Sequence, residues 1–262
     1  MIKSRIENIR ISSKSLKKEM TISIYLPKDY DYKESFPTLY FHHGRNGNEN
    51  ILIEAGINTV ADKLIESHTI NSMIIVCPNL DNSRGLNSSF EYKEVKDPFG
   101  KIINNGMYED YFINEIIPEI DKKFKTIRNR NNRFVGGVSA GGYIALHNAF
   151  RHPELFSKVG GHMPAIELQL EEEDKAYFQN QDNWDKYNPI KIAKEMECCD
   201  FKVYLDAGNK DEGEFYNGCS ILDEILKLRG IESQNHINKG HHNVEYIKNN
   251  MEKYLMFYGY KD

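Results

Sequence analysis

Along this chain, continuous apolar runs alternate with stretches whose apolar residues recur at helical spacing. That alternation narrows the possible folds more than any other feature. Strands buried on both faces read as unbroken apolar runs, because neither face meets water. Such runs fall at Thr38–His42, Met73–Cys77, Phe134–Val138, Lys158–Gly161 and Phe201–Leu205, with a more polar one at Glu232–Ile237. Two earlier runs, Arg5–Ile11 and Met20–Leu26, alternate in polarity and read as an antiparallel edge pair. Helical spacing occupies Asn50–Glu66, Tyr108–Phe124, Gly142–Arg151, Glu214–Leu228 and Val244–Phe257. Strand, helix, strand in regular succession predicts an α/β fold: a mostly parallel sheet of about eight strands, covered by helices on both faces. With 262 residues and no repeat or Pro/Gly/Ser linker, the expectation is one domain spanning 1–262.

The segment Pro164–Pro189 interrupts the pattern. It is acidic early, aromatic later (Tyr177, Phe178, Trp184, Tyr187), and holds the single tryptophan. It follows one buried strand and precedes another, so it belongs over the carboxyl edge of the sheet, where open α/β sheets bind ligands. Two readings stand side by side: a partial cap over 164–189, or a surface excursion whose aromatics turn back into the core.

A formal net charge of −5 and a pI near 6.0 argue against a nucleic-acid partner, which favours a basic face. No window approaches the roughly 18 apolar residues of a membrane-spanning helix. The start, Met1 to Arg5, has charge but no apolar run behind it, so a cytoplasmic location is expected. Cys77, Cys198, Cys199 and Cys219 form no C-x-x-C pair and read as reduced thiols.

The chemistry begins at Gly137-Val138-Ser139-Ala140-Gly141, a G-x-S-x-G sequence between a predicted buried strand and a predicted helix. Glycines are needed where so sharp a turn presses backbone on backbone. The serine then stands at a helix N-terminus, whose partial positive charge favours a developing oxyanion. A serine hydroxyl needs a base to act as nucleophile at neutral pH. Lys239-Gly240-His241-His242-Asn243 supplies one between the last strand and the last helix. Either histidine can fill the role; His241 is preferred because it directly follows the glycine. Asp211, beyond the Gly208-Asn209 turn that follows Phe201–Leu205, is the candidate acid that orients the base. Ser139, Asp211, His241 is the nucleophile–acid–base order of α/β-hydrolases, not that of chymotrypsin or subtilisin.

An oxyanion hole needs two backbone N–H groups. Ala140, directly after the serine, is one candidate, and Arg45, in the loop after the third strand, is the other. His43, His162 and Trp184 are candidate substrate contacts. No metal is expected: neither histidine pair has zinc-motif spacing.

With those residues in view, the chain resembles the esterase D and feruloyl-esterase branch of the α/β-hydrolases. The resemblance rests on Ile24–Pro27, Leu39–Gly44 followed by Asn46–Asn50, Met73–Asn79 and Tyr111–Lys123. It continues through Gly136–Gly142, Tyr204–Asp211 and Gly240-His241, in family order over nearly the whole chain. Ala140 departs from it, standing where many relatives carry methionine. The resemblance implies an eight-stranded sheet, a Ser-Asp-His triad, no cofactor and a small-molecule ester as partner. The leading expectation is a serine hydrolase of sugar or phenolic-acid esters (feruloyl or acetyl), with thioesters such as S-formylglutathione, siderophore lactones, acyl transfer and a non-catalytic binding role on the same fold as alternatives.

Overall fold

The computed structural model describes residues 3–197 and 200–259. Cys198 and Cys199 therefore lie outside the described residues. Among the described residues ten strands run in chain order as β1 (Arg5–Ser13), β2 (Lys18–Leu26), β3 (Thr38–His42), β4 (Ile74–Pro78), β5 (Lys93–Lys96), β6 (Ile102–Asn105), β7 (Arg133–Val138), β8 (Lys158–His162), β9 (Lys202–Gly208) and β10 (Glu232–Asn238). The helices are α1 (Ile51–Glu54), α2 (Ile57–Glu66), α3 (Tyr108–Asp110), α4 (Ile117–Lys123), α5 (Ala140–Arg151), α6 (Lys175–Phe178), α7 (Gln181–Tyr187), α8 (Pro189–Glu195), α9 (Phe215–Leu228) and α10 (Val244–Gly259).

Eight strands form one sheet in the order β1-β2-β4-β3-β7-β8-β9-β10. The β1–β2 and β2–β4 pairs are antiparallel, and every pair from β4 to β10 is parallel. The apolar runs sit where their composition requires. β3, β4 and β7 are buried along their whole length, while the polar β10 is an edge strand with exposed positions. Alternate side chains feed two apolar layers. Val135 joins a layer with Phe112, Leu146 and Leu222, and Phe134 joins the opposite one with Leu64, Met251 and Leu255.

Because β3, β7, β9 and β10 are parallel, their carboxyl ends share one edge. The loops carrying Arg45, Ser139, Asp211 and the 241–242 pair all leave from that edge. Two differences from the sequence expectation are local. The helix expected over 50–66 is broken at Gly56, whose φ of +74° ends α1 and starts α2 on a new axis. A short hairpin, β5–β6, forms where no strand was expected.

The aromatics of 164–189 turn inward. Tyr177, Phe178, Trp184 and Tyr187 form a third apolar cluster with Leu86, Ile103 and Tyr143, and Tyr143 Oη donates to the Tyr187 carbonyl at 2.8 Å. Helix α5 is thus covered by the sheet on one side and this segment on the other, and all its residues from Ala140 to Phe150 are buried. That is why it is apolar and small-residued all round, where a surface helix would carry one polar face.

Candidate active site

Ser139 sits between β7 and α5 with φ 55° and ψ −120°, a left-handed conformation that costs a non-glycine residue on the order of 1–3 kcal/mol. The surroundings hold it there. The Ser139 N–H donates to the His162 carbonyl at 2.9 Å, and its own carbonyl accepts from Tyr143 and Ala165 N–H at 3.1 Å each. A side chain on Gly137 would place a carbon 2.6 Å from the Gly141 carbonyl. The glycines are there because the strand and the helix meet without room for a methyl group.

The histidine beside Ser139 is His242, not His241. Ser139 Oγ donates to His242 Nε2 at 2.8 Å, and His242 Nδ1 donates to Asp211 Oδ2 at 2.8 Å. The second oxygen of Asp211 accepts from the Gly213 N–H at 2.9 Å. The Asp211 side chain is wholly buried and that of His242 is 22% exposed. With Nδ1 committed as donor, Nε2 is left as the acceptor, the form that can take a serine proton. The Phe215 ring meets the His242 ring at 5.3 Å and limits its rotation.

His241 is thereby corrected. It points outward, with its side chain 53% exposed and Nδ1 bound to Glu212 Oε1 at 2.7 Å. The adjacent side chains of His241 and His242 face opposite ways in this turn, which follows Gly240 at φ +154°. A methyl on Gly240 would strike Tyr246 in α10, so the packing of that helix fixes the turn.

Ala140 is the first residue of α5, so its N–H has no partner within the helix. Arg45 lies in the loop after β3, and its N–H has no backbone partner among the described residues. That loop is pressed against the serine: a side chain on Gly44 would lie 3.3 Å from Ser139 Cβ. The Arg45 side chain, for which sequence offered no role, pairs with Glu173 Oε2 at 3.1 Å and Asp174 Oδ1 at 3.2 Å.

The three candidate substrate contacts have other occupations. His43 Nε2 accepts from the Leu80 N–H at 3.0 Å and Nδ1 donates to the Gly44 carbonyl at 2.8 Å. Its ring lines the cleft, but backbone engages both nitrogens, and burial lowers its pKa so that it stays neutral. His162 is wholly buried on the α10 side of the sheet. It stacks on Tyr254 at 3.7 Å and meets the Tyr258 hydroxyl at 2.9 Å. Trp184 is 3% exposed within the third apolar cluster and lines no part of the cleft at Ser139.

The cleft itself has a volume of about 470 Å³ and contains Ser139 and His242. Its apolar walls are Ile51 of α1, Ala55 just after that helix, Met163 after β8, and Val244 and Ile247 of α10, with Arg45, Asn46, Asn48 and Asn243 among its polar lining. The apolar stripe at the start of the 50–66 helix is the sequence signal for Ile51 and Ala55. Among the described residues, no group of three or more His, Cys, Asp or Glu side chains is arranged to hold a metal ion, and no helix is long and apolar enough to cross a membrane.

A mostly parallel eight-stranded sheet, a strained serine at a strand-to-helix elbow, and a histidine and aspartate on later loops define the α/β-hydrolase class. The model of the family described as "Putative esterase" matches residues 13–258, and the chain belongs to that family. It is 29% identical over 236 residues to an endo-1,4-beta-xylanase/feruloyl esterase of Xylanibacter ruminicola, covering 85% of this chain and 31% of the relative. It is 30% identical over 159 residues to an acetyl esterase of Caldicellulosiruptor saccharolyticus, covering 58% and 53%. The chain thus spans about a third and about half of the length of these two curated relatives. A solved ferulic acid esterase superposes with a TM-score of 0.81 at 22% identity over 99% of each chain, a likeness of fold.

Proposed function

We propose that this protein is a serine carboxylic-ester hydrolase, with Ser139 as nucleophile, His242 as base and Asp211 as the group that orients it. The observation that carries this reading is the unbroken line of hydrogen bonds Ser139–His242–Asp211, both links at 2.8 Å, at the N-terminus of α5. His242 takes the hydroxyl proton as Ser139 Oγ attacks the ester carbonyl carbon. The carbonyl oxygen becomes an oxyanion between the Ala140 and Arg45 N–H groups. Collapse of this intermediate breaks the bond to the alcohol, which leaves with the proton from His242. Water, deprotonated by His242, then attacks the acyl-enzyme; the acid leaves and Ser139 regains its proton.

The substrate class in this reading is an ester of a sugar or of a phenolic acid. Support comes from the likeness to proteins named feruloyl esterase and acetyl esterase. The apolar walls of the cleft suit an acyl group better than a charged one.

Initial rates on p-nitrophenyl acetate, p-nitrophenyl butyrate and methyl ferulate, for wild type and Ser139→Ala, test it. Turnover by wild type that vanishes in Ser139→Ala is expected. Folded wild type inert on all three, or activity retained in Ser139→Ala, would overturn the reading.

A further inference from the structure

Directly beside the loop that carries Arg45 is a buried cluster of charges outside the Ser139–His242–Asp211 line. Asp174, with no exposed side-chain surface, receives Arg84 Nη2 on both oxygens, at 2.6 and 2.8 Å. The same nitrogen reaches Glu167 Oε1 at 2.9 Å. Asp174 Oδ1 also accepts from Arg45 Nη2, and Glu173 from Arg45 Nη1. Tyr177 packs against both guanidinium groups, 5.8 Å from Arg45 and 5.5 Å from Arg84. Arg84 is tied in turn to the helix behind the nucleophile. Its carbonyl accepts from His147 Nε2 of α5 at 3.1 Å, and its guanidinium lies 5.2 Å from the Tyr143 ring of α5.

A charge placed 0% exposed is costly unless its partners are fixed, so such a cluster holds its members in register. Here the members connect the two halves of one feature. Ala140 begins α5, and Arg45 lies in the loop facing it. We propose that Asp174 and Arg84 are positioning residues for the oxyanion hole, holding the Arg45 main chain at a fixed distance from Ala140 through the Arg45 side chain. The inference rests on the esterase reading above. In this role the side chain of Arg45 acts on the ester only through its own main-chain N–H. Oxyanion donors are effective only when preorganised, and removing one costs on the order of 10²–10³ in kcat. A donor that is loosened rather than removed is expected to cost about tenfold.

The test is Arg45→Ala, which keeps the N–H and frees the loop. Asp174 keeps Arg84 on both oxygens in this variant and Glu173 is a third exposed, so no buried charge is left without a partner and the variant is expected to fold. Kinetics on p-nitrophenyl acetate and methyl ferulate are read per active site titrated with an organophosphonate, beside the affinity for an aryl trifluoromethyl ketone, whose adduct carries the same oxyanion. The expected result is a kcat about tenfold lower, KM within twofold, ketone affinity weakened by a similar factor, and partial recovery in Arg45→Lys. Asp174→Asn should shift kcat and ketone affinity in the same direction. Arg45→Ala with wild-type kcat per site, or with equal changes in kcat and KM and an unaltered ketone affinity, overturns the positioning role alone. A wild type inert to every ester and to the organophosphonate overturns the esterase reading and this inference together.

Discussion

The left-handed conformation of Ser139 is a cost that three backbone hydrogen bonds and two glycines offset, and the result is a hydroxyl held in line with one histidine. That geometry separates two adjacent histidines sharply. His242→Ala should lower kcat by at least roughly 10³-fold, since removing the base disables the nucleophile. His241→Ala removes a half-exposed ring bound only to Glu212 and should leave kcat within twofold. Steady-state rates on p-nitrophenyl acetate for the two variants decide it; the reverse ranking would mean that the turn repacks in solution. The sequence carried both candidates, but its preference for His241, drawn from the place of that residue directly after the glycine, picked the outward-facing one. The choice depends on which way the turn after Gly240 faces, and that is fixed by Tyr246 on a neighbouring helix.

Between the residue and the whole molecule, the run α3–α4 shows how an element is anchored. Its Glu109 side chain is 4% exposed and accepts from Arg151 Nε at 2.8 Å, with His152 Nε2 at 2.9 Å, at the end of α5. Burial alone would raise its pKa, but the hydrogen bonds from His152 and Arg151 outweigh it and hold the carboxyl down at about 2. A depressed carboxyl stabilises the folded state above its unfolded pKa, near 4.5, and that contribution fades as pH falls toward 2. It amounts to about 3 kcal/mol at neutral pH. Glu109→Gln should therefore unfold more easily than wild type at pH 7, and the gap should close as pH falls from 4.5 to 2. Urea denaturation across that window measures it; a gap independent of pH would assign the effect to packing. The helical run from Tyr108 to Lys123 was legible from its apolar spacing, though not its π-helical turn over Tyr111–Ile116 nor the docking of its first turn on α5. The pairing joins residues 42 and 43 positions apart, and no local pattern encodes that.

At the scale of the molecule, 164–189 is held by its aromatics. Trp184, 3% exposed among Leu86, Ile103 and Tyr143, fastens the segment over α5. Trp184→Ala should cost about 3 kcal/mol, as truncation of a buried large aromatic does, and limited proteolysis should then cut first within 164–189. Stability unchanged within 1 kcal/mol, or first cleavage elsewhere, would show that the segment is held by its ion pairs instead. The alternation of apolar runs and helical periods determined the layered α/β fold and the order of its main elements, because burial on both faces leaves its mark on the central strands. The G-x-S-x-G turn likewise marked the serine, because only glycine permits that backbone contact. Three things waited for the tertiary structure: which histidine faces Ser139, which walls line the cleft, and the pairing of Arg45 with Asp174. Each depends on side chains brought together from distant parts of the chain, and their meeting is set by how helices and loops pack on the sheet.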